Sequence, residues 1–313
     1  MTRAFVFPGQ GSQVVGMGHD LLETFPIARE TLEEIDDALG RNLSKIIASG
    51  PPEELMLTEN AQPALMAISM AVLRVLEKEG GVDLASSCAF VAGHSLGEYS
   101  ALAAARSLGL ADTARLLNTR GQAMQKAVPV GEGGMAALLG AEMDMALEIA
   151  NEAAQGEVCS PANDNGPGQV VLSGAMAAID RAIEIAGTKG VRRSVKLPVS
   201  APFHCALMAP AAAVMEAALA DTDLVRPLVP VMANVTAAPA ENPEDLRRLL
   251  VEQVTSLVRW RESVLAMRDA GVDTLIELGA GKVLTGLAKR IDRDMTAMNV
   301  ETPADVEAVL ETL

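Results

Sequence analysis

The sequence predicts an α/β fold with a parallel sheet, because short apolar runs alternate with longer amphipathic segments. Residues 3–7 form an apolar run that predicts a buried strand, and a glycine-rich loop follows it. Residues 61–78 carry a broad apolar face with helical spacing, which predicts a long helix. Residues 89–92 predict a second short strand, which leads directly into a turn and another helix-forming run. Strand, helices, strand and helix in this order are typical of a parallel sheet with helical crossovers.

The middle of the chain has a different order of predicted strands and helices and is bounded by glycine and proline at both ends. Its predicted elements are strands at residues 135–139, 157–160, 169–173 and 192–197 and helices at residues 142–155 and 175–186. This β-α-β-β-α-β order over about 70 residues is typical of a ferredoxin-like unit. Residues 161–168 are expected to form a turn-rich loop within it. We therefore predict an inserted small domain at residues 129–198 and a large domain made of residues 1–128 and 199–313.

The other segments add helices and strands to the large domain. A single helix is expected over residues 21–39, and Pro63 suits the first turn of the long helix. Asp112 is expected to be the N-cap of a helix that ends near residue 127. The remaining predictions are helices at residues 210–219, 243–253 and 261–270, and strands at residues 228–233 and 274–278 with a helix after the last of these.

Composition argues against several classes of protein. The chain has 313 residues, half of them hydrophobic, and a formal net charge of −16. This charge argues against a nucleic-acid partner and against binding to an anionic membrane surface. Only 2% of the residues are aromatic, so stacking platforms for single-stranded nucleic acid are scarce. No uncharged apolar run is long enough for a transmembrane helix, and the apolar stretch in residues 1–11 is too short for a signal peptide.

The spacing of the cysteines predicts whether the protein resides in a reducing or an oxidising compartment. Cys88, Cys159 and Cys205 are scattered and show no paired spacing. This pattern favours a reduced, cytoplasmic protein without structural disulfides and without a zinc site.

The most informative stretch is Gly93-His-Ser-Leu-Gly97, between a predicted strand and a predicted helix. The Gly-x-Ser-x-Gly pattern in this context is typical of a nucleophile elbow, a turn so tight that a Cβ at its glycine positions would clash. The turn directs the hydroxyl of Ser95 outward, near the free N–H groups at the start of the next helix. Ser95 is therefore the candidate nucleophile, and it needs a neighbouring base to take its proton.

Histidine is the usual base, and the chain has only three. His94 adjoins Ser95, and adjacent side chains on an elbow diverge, so a packing or hydrogen-bonding role is expected for it. His19 precedes a helix and is expected to lie in a surface loop. His204 lies in a proline-punctuated loop after the small domain and is the base candidate by elimination. The acid of a hydrolase triad should precede the histidine in the chain, but no acidic residue in this sequence can be assigned to that role.

Seven motifs follow one another along the chain. They are Pro8-Gly-Gln-Gly-Ser-Gln13, Gln62-Pro-Ala64, Gly93-His-Ser-Leu-Gly-Glu98, Arg120-Gly-Gln-Ala-Met-Gln125, Asn165-Gly-Pro-Gly-Gln169, Pro202-Phe-His204 and Gly279-Ala-Gly281. Together they resemble the malonyl-CoA:acyl carrier protein transacylase family of fatty acid biosynthesis. The resemblance implies a large α/β-hydrolase-like domain with an inserted ferredoxin-like domain.

The resemblance also implies the reaction. A malonyl group passes from malonyl-CoA to the phosphopantetheine thiol of acyl carrier protein, by a ping-pong mechanism through a serine ester. Malonyl-CoA and the carrier protein are substrates, and neither a metal nor a cofactor is implied. We expect a monomer in the cytoplasm.

Carried over position by position, the resemblance assigns roles to the site residues. Ser95 becomes malonylated, and His204 acts as general base and acid. Gln253 supports the histidine in place of an ionised acid. The backbone N–H groups of Gln10 and Leu96 form the oxyanion hole.

Substrate binding is assigned in the same way. Arg120 matches the residue that binds the malonyl carboxylate, and a guanidinium fork suits a carboxylate that stays ionised at neutral pH. His94 and Asn165 complete the predicted substrate-binding set. Without the resemblance, Arg120 would be taken for a solvated helix arginine and Gln253 for an exposed helix glutamine.

Three alternatives stay open. A serine thioesterase or esterase needs a triad acid and admits water. A relative in malonate decarboxylase or polyketide synthesis would share the motifs, and a catalytically inactive binding protein is disfavoured by the intact Ser95 and His204. For docking of the acidic carrier protein, Arg192, Arg193 and Lys196 are a candidate cluster, although a solvated strand explains these residues equally well.

Overall fold

The computed structural model describes residues 2–313, which form two sheets covered by helices. The strands are β1 (Arg3–Phe7), β2 (Phe90–Gly93), β3 (Gly133–Leu139), β4 (Cys159–Gly166), β5 (Gln169–Ala175), β6 (Arg193–Lys196), β7 (Val231–Ala233), β8 (Ala238–Ala240), β9 (Thr274–Leu278) and β10 (Thr296–Val300).

Helices make up most of the remaining structure. They are α1 (His19–Thr24), α2 (Pro26–Leu39), α3 (Leu43–Ser49), α4 (Pro52–Met56), α5 (Thr58–Gly80), α6 (Leu84–Ser87), α7 (Leu96–Ala104), α8 (Leu110–Ala127), α9 (Met143–Ala154), α10 (Met176–Thr188), α11 (Ala209–Ala220), α12 (Pro243–Gln253), α13 (Trp260–Asp269), α14 (Val283–Ile291) and α15 (Pro303–Leu310), with a 3₁₀ turn at Ala206–Met208. No helix within residues 2–313 is long and apolar enough to cross a membrane.

The larger sheet has the strand order β10-β9-β1-β2-β7-β8. The first five strands are parallel, and β8 pairs with β7 in the antiparallel direction. Phe5 and Phe7 of β1 pack in the same core as α5, whereas Ala4 and Val6 pack on the opposite face with Trp260. Because helices cover both faces, β1 is apolar at every position after Arg3 rather than alternating.

The smaller sheet is antiparallel and has the strand order β4-β5-β3-β6. Alternate residues of β3 point to opposite faces. Ala136 and Leu138 pack with α9 and α10, and Met135 and Ala137 join the core of the larger unit. Two backbone hydrogen bonds also cross between the units, since Asp164 N donates to Val258 O at 3.0 Å and Val258 N donates to Ala162 O at 2.9 Å.

Two predicted helix starts are wrong. The single helix expected over residues 21–39 is divided into α1 and α2, because Phe25 is extended before Pro26, which begins α2. The N-cap of α8 is Gly109, and Asp112 lies in the first turn instead.

Two further predictions that were based on proline are wrong. Pro63 lies inside α5 rather than in its first turn, and the Glu59 carbonyl that it leaves without an amide donor accepts from Arg41 Nη2 at 3.2 Å. The loop expected at residues 161–168 is largely strand β4, despite its proline and asparagines, because it pairs with β5 through register shifts. Helices α3, α4, α6 and α15 and strands β8 and β10 were not predicted.

Candidate active site

The turn after β2 gives Ser95 a strained conformation that two glycines make possible. Ser95 has φ 55° and ψ −108°, a region that residues other than glycine rarely adopt. A Cβ on Gly93 would lie 1.9 Å from the Gly97 carbonyl, and a Cβ on Gly97 would lie 2.3 Å from the Phe7 carbonyl oxygen. The glycines therefore allow strand, turn and helix to meet closely, with Ser95 at the N-terminus of α7.

Neighbouring parallel strands bring two more loops beside this turn. Phe7 of β1 is in register with Gly93 of β2, so the loop that carries Gln10 begins next to the turn. On the other side β2 pairs with β7, which Asn234 follows directly. The Ser95 backbone N–H donates to Asn234 Oδ1 at 2.8 Å. The shared edge at the carboxyl ends of these strands thus assembles the site.

His204 is close to Ser95 and is held from behind by the main chain. Its Nε2 lies 2.7 Å from Ser95 Oγ, and its Nδ1 lies 2.8 Å from the carbonyl oxygen of Gln253. A carbonyl only accepts, so Nδ1 carries a hydrogen and Nε2 is free to accept a proton. Burial, together with the charge of Arg120, lowers the pKa of His204 to about 3, so the imidazole is neutral at neutral pH.

Arg120 brings a buried guanidinium to the serine. Its Nη2 donates to Ser95 Oγ at 3.0 Å and to Gln253 Oε1 at 2.9 Å, and its Nη1 donates to Gln62 Oε1 at 2.8 Å. The guanidinium carbon also lies 5.6 Å from the centre of the Tyr99 ring. These acceptors are neutral, and within residues 2–313 the buried Nε has no hydrogen-bond partner. The cation therefore retains capacity for an anionic ligand.

A cavity of about 450 Å³ opens over the serine. The predicted site residues that line it are Gln10, His94, Ser95, Leu96, Arg120 and His204. Apolar walls come from both units, with Met124 from α8, Met135 from β3 and Leu197 from the segment after β6. Gln253 is fully buried behind the cavity wall, where it touches the lining residues rather than the cavity.

His94 and Asn165 contact each other instead of forming one ligand surface. His94 Nε2 lies 2.8 Å from Asn165 Oδ1, and the His94 ring lies 5.7 Å from the Trp260 ring between centroids. Asn165 is on β4, so this contact joins the smaller sheet to the serine turn. Burial lowers the pKa of His94, which keeps its ring neutral in this contact.

Three contributors lack a sequence prediction. Asn234 holds the Ser95 amide, Gln62 accepts from Arg120, and Glu98 accepts from Gln253 Nε2 at 2.7 Å. Gln62 and Glu98 lie within quoted motifs, which was the available signal for them. Asn234 follows a strand at the carboxyl edge of the sheet, but only the strand order reveals that this strand adjoins the serine turn.

A serine hydroxyl in contact with a neutral histidine, beside a buried cation and under one cavity, is an arrangement typical of acyl-transferring proteins. Residues 4–304 match the model of the acyl transferase domain family, and the chain belongs to that family.

The names of individual relatives specify a narrower activity than the name of the family does. The chain is 46% identical over 308 residues to the malonyl CoA-acyl carrier protein transacylase of Escherichia coli (strain K12), with 98% of each chain covered. A solved acyl-carrier-protein-S-malonyltransferase from Bartonella henselae superposes with a TM-score of 0.98 at 54% identity, covering 100% of this chain and 99% of the other. A malonyl-transacylase solved in complex with its type II PKS acyl-carrier protein has a TM-score of 0.97 at 41% identity, with 100% of both chains covered.

Proposed function

We propose that the protein transfers a malonyl group from malonyl-CoA to the phosphopantetheine thiol of acyl carrier protein, through an ester on Ser95. The observation that carries this proposal is the buried Arg120, whose Nη2 lies 3.0 Å from Ser95 Oγ. Malonyl differs from acetyl by one carboxylate, and a guanidinium beside the acylated oxygen can bind it in a water-poor site. The names of the relatives support the same substrates.

His204 and Ser95 carry out the chemistry. His204 Nε2 takes the hydroxyl proton as Ser95 Oγ attacks the thioester carbon, and the C–S bond to CoA then breaks. The departing thiolate receives the proton from His204. The carrier-protein thiol next enters, gives its proton to His204, attacks the serine ester and returns the hydroxyl to Ser95. One thioester replaces another, so no metal, cofactor or nucleotide is needed.

Two backbone amides are the proposed oxyanion hole. Leu96 is the first residue of α7, where an N–H has no acceptor within the helix. Gln10 lines the same cavity from the loop after β1. N–H groups fixed in this way stabilise the negative charge that develops on the carbonyl oxygen in the transition state.

The support for His204 distinguishes this site from that of a hydrolase. The Gln253 carbonyl sets the imidazole tautomer but carries no full negative charge, so it stabilises an imidazolium less than a carboxylate would. A less activated histidine suits an acyl-enzyme that waits for a thiol rather than reacting with water. His94 and Asn165 are proposed to support the substrate side of the cavity from the smaller sheet.

We propose that the two units are an α/β-hydrolase-like domain of residues 1–128 and 199–313 and a ferredoxin-like domain of residues 129–198. The serine turn after a parallel strand supports the first assignment. The β-α-β-β-α-β order and the strand order β6-β3-β5-β4 support the second. We also propose that the protein is a monomer in the cytoplasm, and the three free cysteines favour this location.

The proposal is tested by intact-mass measurement after brief exposure to malonyl-CoA. The wild-type protein should gain the mass of one malonyl group, keep it in buffer, and lose it when carrier protein with its phosphopantetheine arm is added. Ser95→Ala should gain nothing, and Ser100→Ala, a buried serine within the helix that Ser95 precedes, should be labelled like the wild type. An unlabelled wild type, or a labelled Ser95→Ala variant, contradicts the proposal, and rapid loss in buffer alone would favour a thioesterase.

Polyketide synthesis is the second candidate pathway, because one similar enzyme was solved with a type II PKS carrier protein. The chemistry at Ser95 is the same in both pathways. Fatty acid biosynthesis is the proposed setting, and rates of discharge to purified carrier proteins of the two kinds distinguish them.

A further inference from the structure

Glu98 is a buried acid that contacts neither Ser95 Oγ nor His204. It lies in the first turn of α7 and is only 1% exposed. Its Oε2 accepts from Gln253 Nε2 at 2.7 Å and from the Asn234 backbone N–H at 3.1 Å. A carboxylate so completely removed from water needs a reason, because burial of a charge without compensation is costly.

The contact with Glu98 fixes which way the Gln253 side-chain amide points. Its NH₂ group donates to Glu98 and to the Ser95 carbonyl oxygen, so its Oε1 faces Arg120 at 2.9 Å. A flipped amide would set its oxygen against the carboxylate and its NH₂ against the guanidinium, and both contacts would be repulsive. The orientation that Arg120 needs therefore depends on an acceptor at Glu98.

Glu98 also compensates the charge of Arg120 without occupying the hydrogen-bond donors of the guanidinium. A carboxylate in direct contact with the guanidinium would compete with a bound acyl carboxylate for the same donors. Here the neutral Gln253 amide stands between the two charges, and Arg120 touches only neutral oxygens. The buried cation thus has an opposite charge nearby while its donors can still turn to a substrate.

We propose that Glu98 is a positioning residue that, through the oriented amide of Gln253, holds Arg120 ready for a carboxylate-bearing acyl group. The inference rests on the proposed function, because it concerns how Arg120 selects a malonyl group over uncharged acyl groups such as acetyl. Glu98 touches neither the substrate nor the reacting atoms, and it acts on Arg120 through Gln253.

Electrostatics supports this assignment. Burial raises the pKa of Glu98 to about 7, and the hydrogen bonds from Gln253 and Asn234 and the charge of Arg120 oppose that rise. The charged or titratable groups that act on Glu98 are Arg120 from α8 and Tyr99 on its own helix. Burial raises the pKa of Tyr99 to about 12, so this phenol stays neutral where Glu98 titrates.

The test compares single-turnover acylation of Ser95 by malonyl-CoA and by acetyl-CoA. In Glu98→Gln, which keeps the shape, an amide that both donates and accepts replaces a group that only accepts, so the Gln253 amide is free to flip. The ratio of malonyl to acetyl rates should then fall about 10- to 100-fold. Acetyl transfer should change little. Glu98→Asp keeps the charge and should restore part of the ratio, and Arg120→Ala gives the ratio that remains without the cation.

Glu277→Gln is the matched control, because Glu277 is also fully buried but accepts from Leu284 and Thr285 at the start of α14. It should leave the ratio unchanged. Equal losses for both acyl groups in Glu98→Gln, an unchanged ratio, or a higher ratio would each overturn the proposal. A wild type that forms no malonyl ester would instead refute the proposed function, so the two failures are separable.

A second measurement needs only the wild-type protein and decides the matter if Glu98→Gln does not fold. As pH falls from about 8 to about 6, Glu98 takes up a proton, and the malonyl-to-acetyl ratio should fall with it. Protonation of His204 does not interfere, because its pKa of about 3 lies below this range. A ratio that stays flat across the range would overturn the proposal.

Discussion

At the scale of single residues, the burial of His204 makes folding depend on pH. The side chain is 4% exposed, and burial lowers its pKa from 6.5 to about 3. An unfolded chain takes up a proton on this histidine near pH 6.5, whereas the folded protein does so only near pH 3. Between these values the unfolded state binds the extra proton, so the free energy of unfolding decreases as pH falls.

Replacing the histidine should remove this dependence. Between pH 6.5 and about pH 5 the wild type should lose about 2 kcal/mol more unfolding free energy than His204→Gln, which has no group to protonate. Urea unfolding at both pH values measures the difference. His19→Gln is the control, since His19 is exposed, and it should follow the wild type. If His204→Gln and wild type lose stability in parallel, the imidazole is not buried in its neutral form.

At the scale of elements, the turn between β2 and α7 depends on the absence of a side chain at Gly97. Gly97→Ala would put a Cβ 2.3 Å from the Phe7 carbonyl oxygen, and backbone has little room to move. We expect a loss of about 3 kcal/mol in unfolding free energy and a large loss of Ser95 acylation.

Gly286→Ala is the matched control for this substitution. Gly286 lies in α14, where a new Cβ would meet nothing within 4 Å, so alanine should be neutral or stabilise the helix by up to about 1 kcal/mol. Urea unfolding and intact-mass labelling of both variants give the comparison. A Gly97→Ala protein as stable and active as the wild type would show that the strands and helix can move apart.

The sequence predicts those elements whose signal is local. The serine turn carries its own glycines, and the bounds of α12 and β9 agree with those predicted, because each has a clear apolar pattern. Strand β4 was only partly predicted, since its residues after Pro161 are poor strand formers. Its pairing with β5 and its single bridge to Val258 are tertiary contacts, and a local pattern cannot reveal them.

The same distinction holds in the candidate site. Ser95 follows from spacing, and His204 follows from the small number of histidines. The role proposed for Gln253 came from the resemblance, and the structure adds that its main chain and its side chain have different partners. Glu98 and Asn234 were not assigned, because their importance comes from what lies across the sheet from them.

At the scale of the whole molecule, the cavity depends on how the two units are joined. Asp164 on β4 is buried and pairs with Arg261 of α13, which also pairs with Glu142. Asn163 and Asn165, on either side of Asp164, lie against the cavity and against His94 respectively. The junction therefore sets the distance between the smaller sheet and the serine turn, which β-strand patterns alone do not specify.

The net charge of −16 raises the question of how an acidic carrier protein approaches. Long-range attraction to the whole molecule is excluded, and we propose that a local positive surface guides the carrier protein instead. Arg192 precedes the edge strand β6 and Arg193 begins it, and both are exposed; Lys196, at its end, is exposed and pairs with Asp180. Leu197, the next residue, lines the cavity. We therefore propose this cluster, which precedes a cavity-lining residue in the chain, as the surface on which the carrier protein docks.

Charge reversal at Arg192, Arg193 and Lys196 together should separate the two halves of the reaction. Discharge of the malonyl-enzyme to carrier protein should slow about 10-fold or more at low salt, because steering depends on charge, and added salt should reduce the difference. Acylation of the serine by malonyl-CoA should be unchanged. A matched variant reverses three exposed arginines elsewhere, Arg115, Arg226 and Arg248, and changes the net charge equally. If both triple variants slow discharge to the same extent, total charge rather than this cluster governs the encounter, and if neither does, the carrier protein docks on another surface.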